Sequence, residues 1–208
     1  MGRFGRFFST VVLGLIAPVA LMLAGWWGSL PFIAESSVAY IAGAGFIIGL
    51  VLDFTVLRKF VFRLFYLPLP ALFAVALFYS IMIYGFFMGF PVFNSLVGIA
   101  CAYAAAKGGM LRSTDAQDRR KKARTVQWFS FALLLFFCIC TAMLALREAT
   151  IGSQIKQMLG LPFEVTPGMI WALILAGGVA LLAFQYGISH MIFRRVEKLR
   201  DSAETIKP

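Results

Sequence analysis

One carboxylate stands well inside an apolar run of this sequence: Asp53, in "GFIIGLVLDFTVLRKF". An ionisable group at such a place is costly, so it marks either a pairing or a function. Two readings suit it. Asp53 is an interfacial carboxylate paired with Arg58 and Lys59 about one turn on, or it is a site for a cation or a proton. His190 is the sole histidine and follows Ser189. A triad with Asp53 would need a nucleophile elbow, which the sequence lacks, so His190 reads as an interfacial or packing residue. Asn94 and Gln185 are the conspicuous amides and suit hydrogen bonds between helices. Tyr84, with Tyr40, Tyr79, Ser80 and Tyr186, suits either a polar pocket or anchoring at the membrane interface. Cys138 and Cys140 face opposite ways on a helix and cannot share a metal ion. No P-loop, dinucleotide fingerprint or zinc-protease motif is present. No catalytic residue, cofactor site or metal site is therefore assigned; no cofactor is expected, and the expected class is non-enzymatic.

The elements that must position these residues are membrane spans. The 208 residues are 61% hydrophobic and only 13% charged, with a mean hydropathy of +0.88. A soluble domain carries about 25% charged residues. Six apolar runs fall at about 8–29, 36–57, 69–89, 91–107, 127–147 and 168–192. A span needs ~20 apolar residues, and the fourth run is the short one. The expected fold is all-α: a polytopic bundle of six transmembrane helices built as three helical hairpins, in one domain over 1–192, with a helical tail over 193–208.

Charge sets the threading. With the N-terminus inside, seventeen of the nineteen Lys and Arg fall in cytoplasmic segments, and only Arg147 and Lys156 fall outside. That alternation is the positive-inside pattern. It puts both termini in the cytoplasm, with the plasma (inner) membrane as the expected location. It also accounts for the net charge of +10 without nucleic acid. The first run is too long for a signal-peptide core and is expected to stay in the chain.

Three short phrases, "SLPF", "GFPVF" and "GLPF", precede the second, fourth and sixth runs. Proline costs nothing at a helix start, so Pro31, Pro91 and Pro162 read as helix-start devices, or as traces of a repeated hairpin. Pro18 is expected to kink the first span. Small residues recur at helical spacing in the even runs: Gly45 and Gly49; Gly98 and Ala102; Ala172, Ala176 and Ala180. Such faces let backbones approach closely. The second, fourth and sixth helices are therefore expected at the centre or against another subunit, with the bulky third and fifth facing lipid.

The basic segment Arg119, Arg120, Lys121, Lys122 and Arg124 is expected against anionic lipid headgroups or a partner. Ser113, Thr114 and Asp115 can cap a helix running out of it. In the tail, Val196, Leu199, Ala203 and Ile206 follow 3-4-3 spacing. Over some 13 residues this resembles the first helix of the HAMP linker modules that follow the last span of bacterial sensors, which implies self-association through the tail. Six short helices are also the helix count of the substrate-binding subunits of energy-coupling-factor vitamin transporters, an analogy of architecture alone. The expected function is a small transport or solute-binding membrane component. The alternatives are a structural or assembly subunit, with a second copy or a partner membrane subunit, or a sensor acting through the C-terminal helix.

Overall fold

The computed structural model describes residues 3–57, 59, 63–86, 91–110, 115–148, 150–160 and 162–205. Every regular element among them is helical. Among the described residues, five helices are long and apolar enough to cross a membrane: Arg3–Ser29, Ser36–Leu57, Leu69–Phe86, Ala116–Arg147 and Pro167–Leu199. The fourth expected run forms a shorter apolar helix, Val92–Gly108. At 1.5 Å per residue it is about 25 Å long, just short of a typical hydrocarbon core. The chain divides into two compact units, Met1–Leu67 and Pro68–Pro208.

The N-terminal unit is built on a broken helix. α1 (Arg3–Gly14) and α2 (Ile16–Ser29) are separated at Leu15. The cause lies three residues on. Pro18 has no N–H to give the Gly14 carbonyl, and its ring crowds that carbonyl. α1 turns a narrow stripe inward, Gly5, Ser9 and Leu13. The Ser9 hydroxyl accepts the Leu64 amide at 3.3 Å, which ties α1 to the 3₁₀ turn Leu64–Tyr66. α3 (Glu35–Leu52) returns along α2 and passes into a π-helical segment, Asp53–Leu57. Its buried stripe is Val38, Ala42, Gly49 and Asp53, with Gly45 on the same face.

In the C-terminal unit, α5 (Val92–Ala105) packs against three helices: α4 (Leu69–Phe86), α6 (Ala116–Arg147) and α8 (Pro167–Thr205). Eight of its fourteen residues are buried, all small or polar except Val97. Small side chains are what allow one helix to sit against three others. α5 also ends in a π-helical segment, Ala106–Met110. α6 begins well before the expected span because the basic segment is part of the same helix. Its N-cap is Asp115, whose carboxylate accepts the amides of Gln117 and Asp118. Ser113 and Thr114 lie outside the described residues. α8 likewise continues unbroken into the tail.

The proline phrases act differently from expectation. Only Pro91 sits at a helix start, as the N-cap of α5. Pro31 stands four residues ahead of α3, and α8 opens on Pro167 rather than Pro162. Between α6 and α8 a short helix, α7 (Ile151–Leu159), occupies what reads in the sequence as a loop. It ends on Gly160 in the left-handed conformation, φ 61°. Lys156 of α7 pairs with Glu164.

Candidate functional site

Among the described glycines, the closest approach to another helix's backbone is between α2 and α3. A Cβ on Gly45 would lie 2.4 Å from the Leu21 carbonyl oxygen, and one on Gly49 2.3 Å from Pro18 Cα. Gly25 meets Ile41 in the same way, at 3.1 Å. The small face of α3 is thus taken up by α2, its neighbour in sequence. Asp53 continues that face by one turn. It is 7% exposed, and neither carboxylate oxygen has a hydrogen-bond partner. Of its expected partners, Lys59 is exposed and forms no ion pair with it, and Arg58 lies outside the described residues.

A second polar group of residues surrounds α5. Asn94 is buried, and its Nδ2 donates to the Ser80 carbonyl of α4 at 3.0 Å. One turn along, Gly98 leaves a notch filled by Gln185 of α8: a Cβ there would lie 2.6 Å from Gln185 Nε2. Another turn on, Cys101 faces the Ser130 hydroxyl of α6. Ser189 lies one turn below Gln185 on α8 and is also buried. Five side-chain atoms in this seam have no hydrogen-bond partner: Ser80 Oγ, Asn94 Oδ1, Ser130 Oγ, Gln185 Oε1 and Ser189 Oγ. All of these side chains are neutral amides or hydroxyls. From Asn94 to Cys101 the seam spans about 10 Å of helix.

The other residues singled out in the sequence lie outside the seam. Tyr84 packs at a tilt on Phe137 with centroids 4.8 Å apart, and its hydroxyl is 3.5 Å from Thr141. His190 stacks on Tyr186, and its Nδ1 lies 3.5 Å from Gln127 Nε2. Tyr40 is exposed. Ala102 is fully buried in α5. Ala172, Ala176 and Ala180, expected at the centre or against another subunit, are exposed within this chain. No residue of α8 from Trp171 to Phe184 is buried, because α8 meets its neighbours through Gln185, Ser189 and Phe193, lower down. The basic residues split as well. Arg119 is buried, Arg120 reaches Glu197 at 3.6 Å, and Lys122 pairs with Asp118; Lys121 and Arg124 are exposed. A helix spreads neighbouring residues around its axis, so five cations within six residues cannot share one face.

Ser80 stands in the sequence as a candidate pocket residue and Ser189 only as the neighbour of His190, whereas Ser130 went unmarked. Serines in apolar runs were the available signal, but only the packing of four helices brings them together. Among the described residues no group of three His, Cys, Asp or Glu could hold a metal ion. No family model, curated protein or solved structure matches the chain. The likenesses of the tail and of the helix count therefore stand without support from relatives.

Proposed function

We propose that this chain is a non-enzymatic, solute-binding or transport component of the plasma membrane. It is threaded as three hairpins with both termini in the cytoplasm, and its binding site is the neutral seam around α5. The observation that supports this reading is the set of five buried polar atoms without protein partners. Each such atom costs about 1–3 kcal/mol in mutational measurements. A structural bundle gains more from apolar side chains at those places, so the seam is better accounted for by a ligand that bonds to it. The free groups are amide oxygens and hydroxyls, without charge. The matching solute is uncharged and carries N–H or O–H donors.

A second reading has its own support. The outer half of α8 presents Ala172, Ala176 and Ala180 with Gly177 and Gly178, and a Cβ on either glycine would meet nothing within 4 Å. Such a face suits a helix of a partner subunit or a second copy. Leu199, in the tail seam, is 71% exposed and suits the same kind of contact. Native mass spectrometry of protein released gently from its own membranes separates the two. A small-molecule adduct lost in Gln185→Leu supports the solute reading. A second polypeptide at fixed stoichiometry, retained in Gln185→Leu with no adduct, supports assembly instead.

A further inference from the structure

The second polar feature, in the N-terminal unit, is a different kind of site and does not rest on the seam. Asp53 lies in the apolar helix Ser36–Leu57, is 93% buried, and has no hydrogen-bond partner on either oxygen among the described residues. A buried carboxylate in hydrocarbon needs a proton, a cation or a positive side chain. Among the described residues no positive side chain supplies the answer; Arg58 lies outside them. Arg3, Arg6, Lys59 and Arg63 are all exposed, and none pairs with Asp53. α2 carries no ionisable residue, and those of α3, Glu35 and Tyr40, lie at its other end.

On the face that Asp53 continues, the α2–α3 contact is made by backbone. Gly25 against Ile41, Gly45 against Leu21 and Gly49 against Pro18 set an antiparallel register between α2 and α3. Extended by one more turn, that register would bring Asp53 toward Gly14, beside the break between α1 and α2. The Gly14 carbonyl is the one that Pro18 leaves without an amide donor. The backbone of α3 is loosened at the same level. Asp53 opens the π-helical segment, and the Thr55 hydroxyl donates to the Val51 carbonyl at 2.7 Å. π-helical turns inside longer helices gather at functional sites.

The two states of the carboxyl differ sharply in such a place. A carboxylate and a bare carbonyl are both acceptors and repel one another. A carboxylic acid has an O–H, which that carbonyl can accept. A multivalent cation would ask for several oxygen ligands, typically six to eight for calcium, whereas the proton asks for one. We propose that Asp53 is a proton-exchange site at the Pro18 break of the first membrane helix. One O–H bond forms on a carboxylate oxygen with a proton from hydronium and breaks again when that proton passes to water.

Infrared difference spectra of the full chain in lipid vesicles, taken across a pH titration in H₂O and D₂O, test this. The expected result is a carboxyl C=O band that titrates, shifts in D₂O and is lost in Asp53→Asn. The band moves in Asp53→Glu, and it also moves in Pro18→Ala, where the new amide takes the Gly14 carbonyl. It does not respond when Na⁺ replaces choline at constant pH. A titrating spectrum unchanged in Asp53→Asn overturns the proposal, and so does an Asp53 signal that follows Na⁺ at constant pH. Should Asp53→Asn fail to fold, the shifts in Asp53→Glu and Pro18→Ala decide, and their absence overturns it. Failure to find a seam ligand by mass spectrometry leaves this result unaffected.

Discussion

In the N-terminal unit, α2 and α3 are pressed together over glycine until backbone meets backbone, and the buried stripe of α3 ends in a charge-bearing side chain. In the C-terminal unit, α5 is held among three helices by small residues, and its buried polarity is neutral and spread over about 10 Å. Both α3 and α5 pass into a π-helical turn, Asp53–Leu57 and Ala106–Met110. In the second unit the ionisable residue of that turn, Lys107, is held by the Tyr103 hydroxyl at 3.0 Å. In the first, Asp53 has no such partner. The comparison separates two uses of small residues. Glycine between α2 and α3 removes side chains so that one contact can be as close as possible. Alanine, serine and glycine on α5 make room for several neighbours and for side chains such as Gln185.

The largest effect expected is at Gly49. A methyl there meets Pro18 Cα at 2.3 Å, backbone that cannot step aside. Gly49→Ala should cost ~3 kcal/mol, the upper end of overpacking, and Gly45→Leu at least as much. Thermal unfolding in detergent measures both. If the N-terminal unit tolerates either substitution without loss, the close approach of α2 and α3 is wrong. Gly43→Ala is the control, since a Cβ there meets nothing within 4 Å, and it should leave stability unchanged or slightly improved.

Next in size is a pair of substitutions that part stability from binding. Gly98→Ala drives a methyl into the buried amide of Gln185 and should cost about 1–3 kcal/mol. Gln185→Leu removes an amide whose oxygen has no partner, so stability should hold within ~1 kcal/mol. The same variant should lose the small-molecule adduct. A Gln185→Leu protein that is much less stable would show the amide to be structural glue, and the seam would lose its claim as a binding site. Smaller again is Asn94→Ala, which gives up the bond to the Ser80 carbonyl for about 1 kcal/mol.

Much of this arrangement was legible in the sequence. The spans could be placed because hydrocarbon thickness imposes a length, and the second falls within a residue of Ser36–Leu57. The α1–α2 break was legible in Pro18 because proline acts on its own helix. Gly45 and Gly49 were legible as a close face, but not which helix would cover it. The same spacing at Ala172, Ala176 and Ala180 is exposed, because four-residue periodicity marks a flat face without naming a neighbour. α7 was hidden because nine residues with two isoleucines, a lysine and two glutamines are too polar to read as a span and too short to read as an element. The seam was half legible. Asn94 and Gln185 stood out as amides, whereas the serines are ordinary in membrane helices until four helices converge on them.

The smallest effect expected on the chain itself is at Ala176, and there the contrast between the units becomes a test of partnership. Ala176→Leu adds bulk to a face that α4, α5 and α6 do not cover, so stability of the isolated chain should change by less than ~0.5 kcal/mol. Leu at Gly45 is a similar gain in bulk on a covered face and should be ruinous. If Ala176→Leu is silent in detergent yet removes a co-purifying polypeptide or a dimer from native mass spectra, the outer half of α8 is an interface. Silence in both measurements leaves that face to lipid, where an added isobutyl group is as well solvated as the alanine it replaces. Instability comparable to Gly45→Leu would mean that the face is covered within the chain after all. The position of α8 relative to α5 would then have to be redrawn, and with it the seam that Gln185 helps to form.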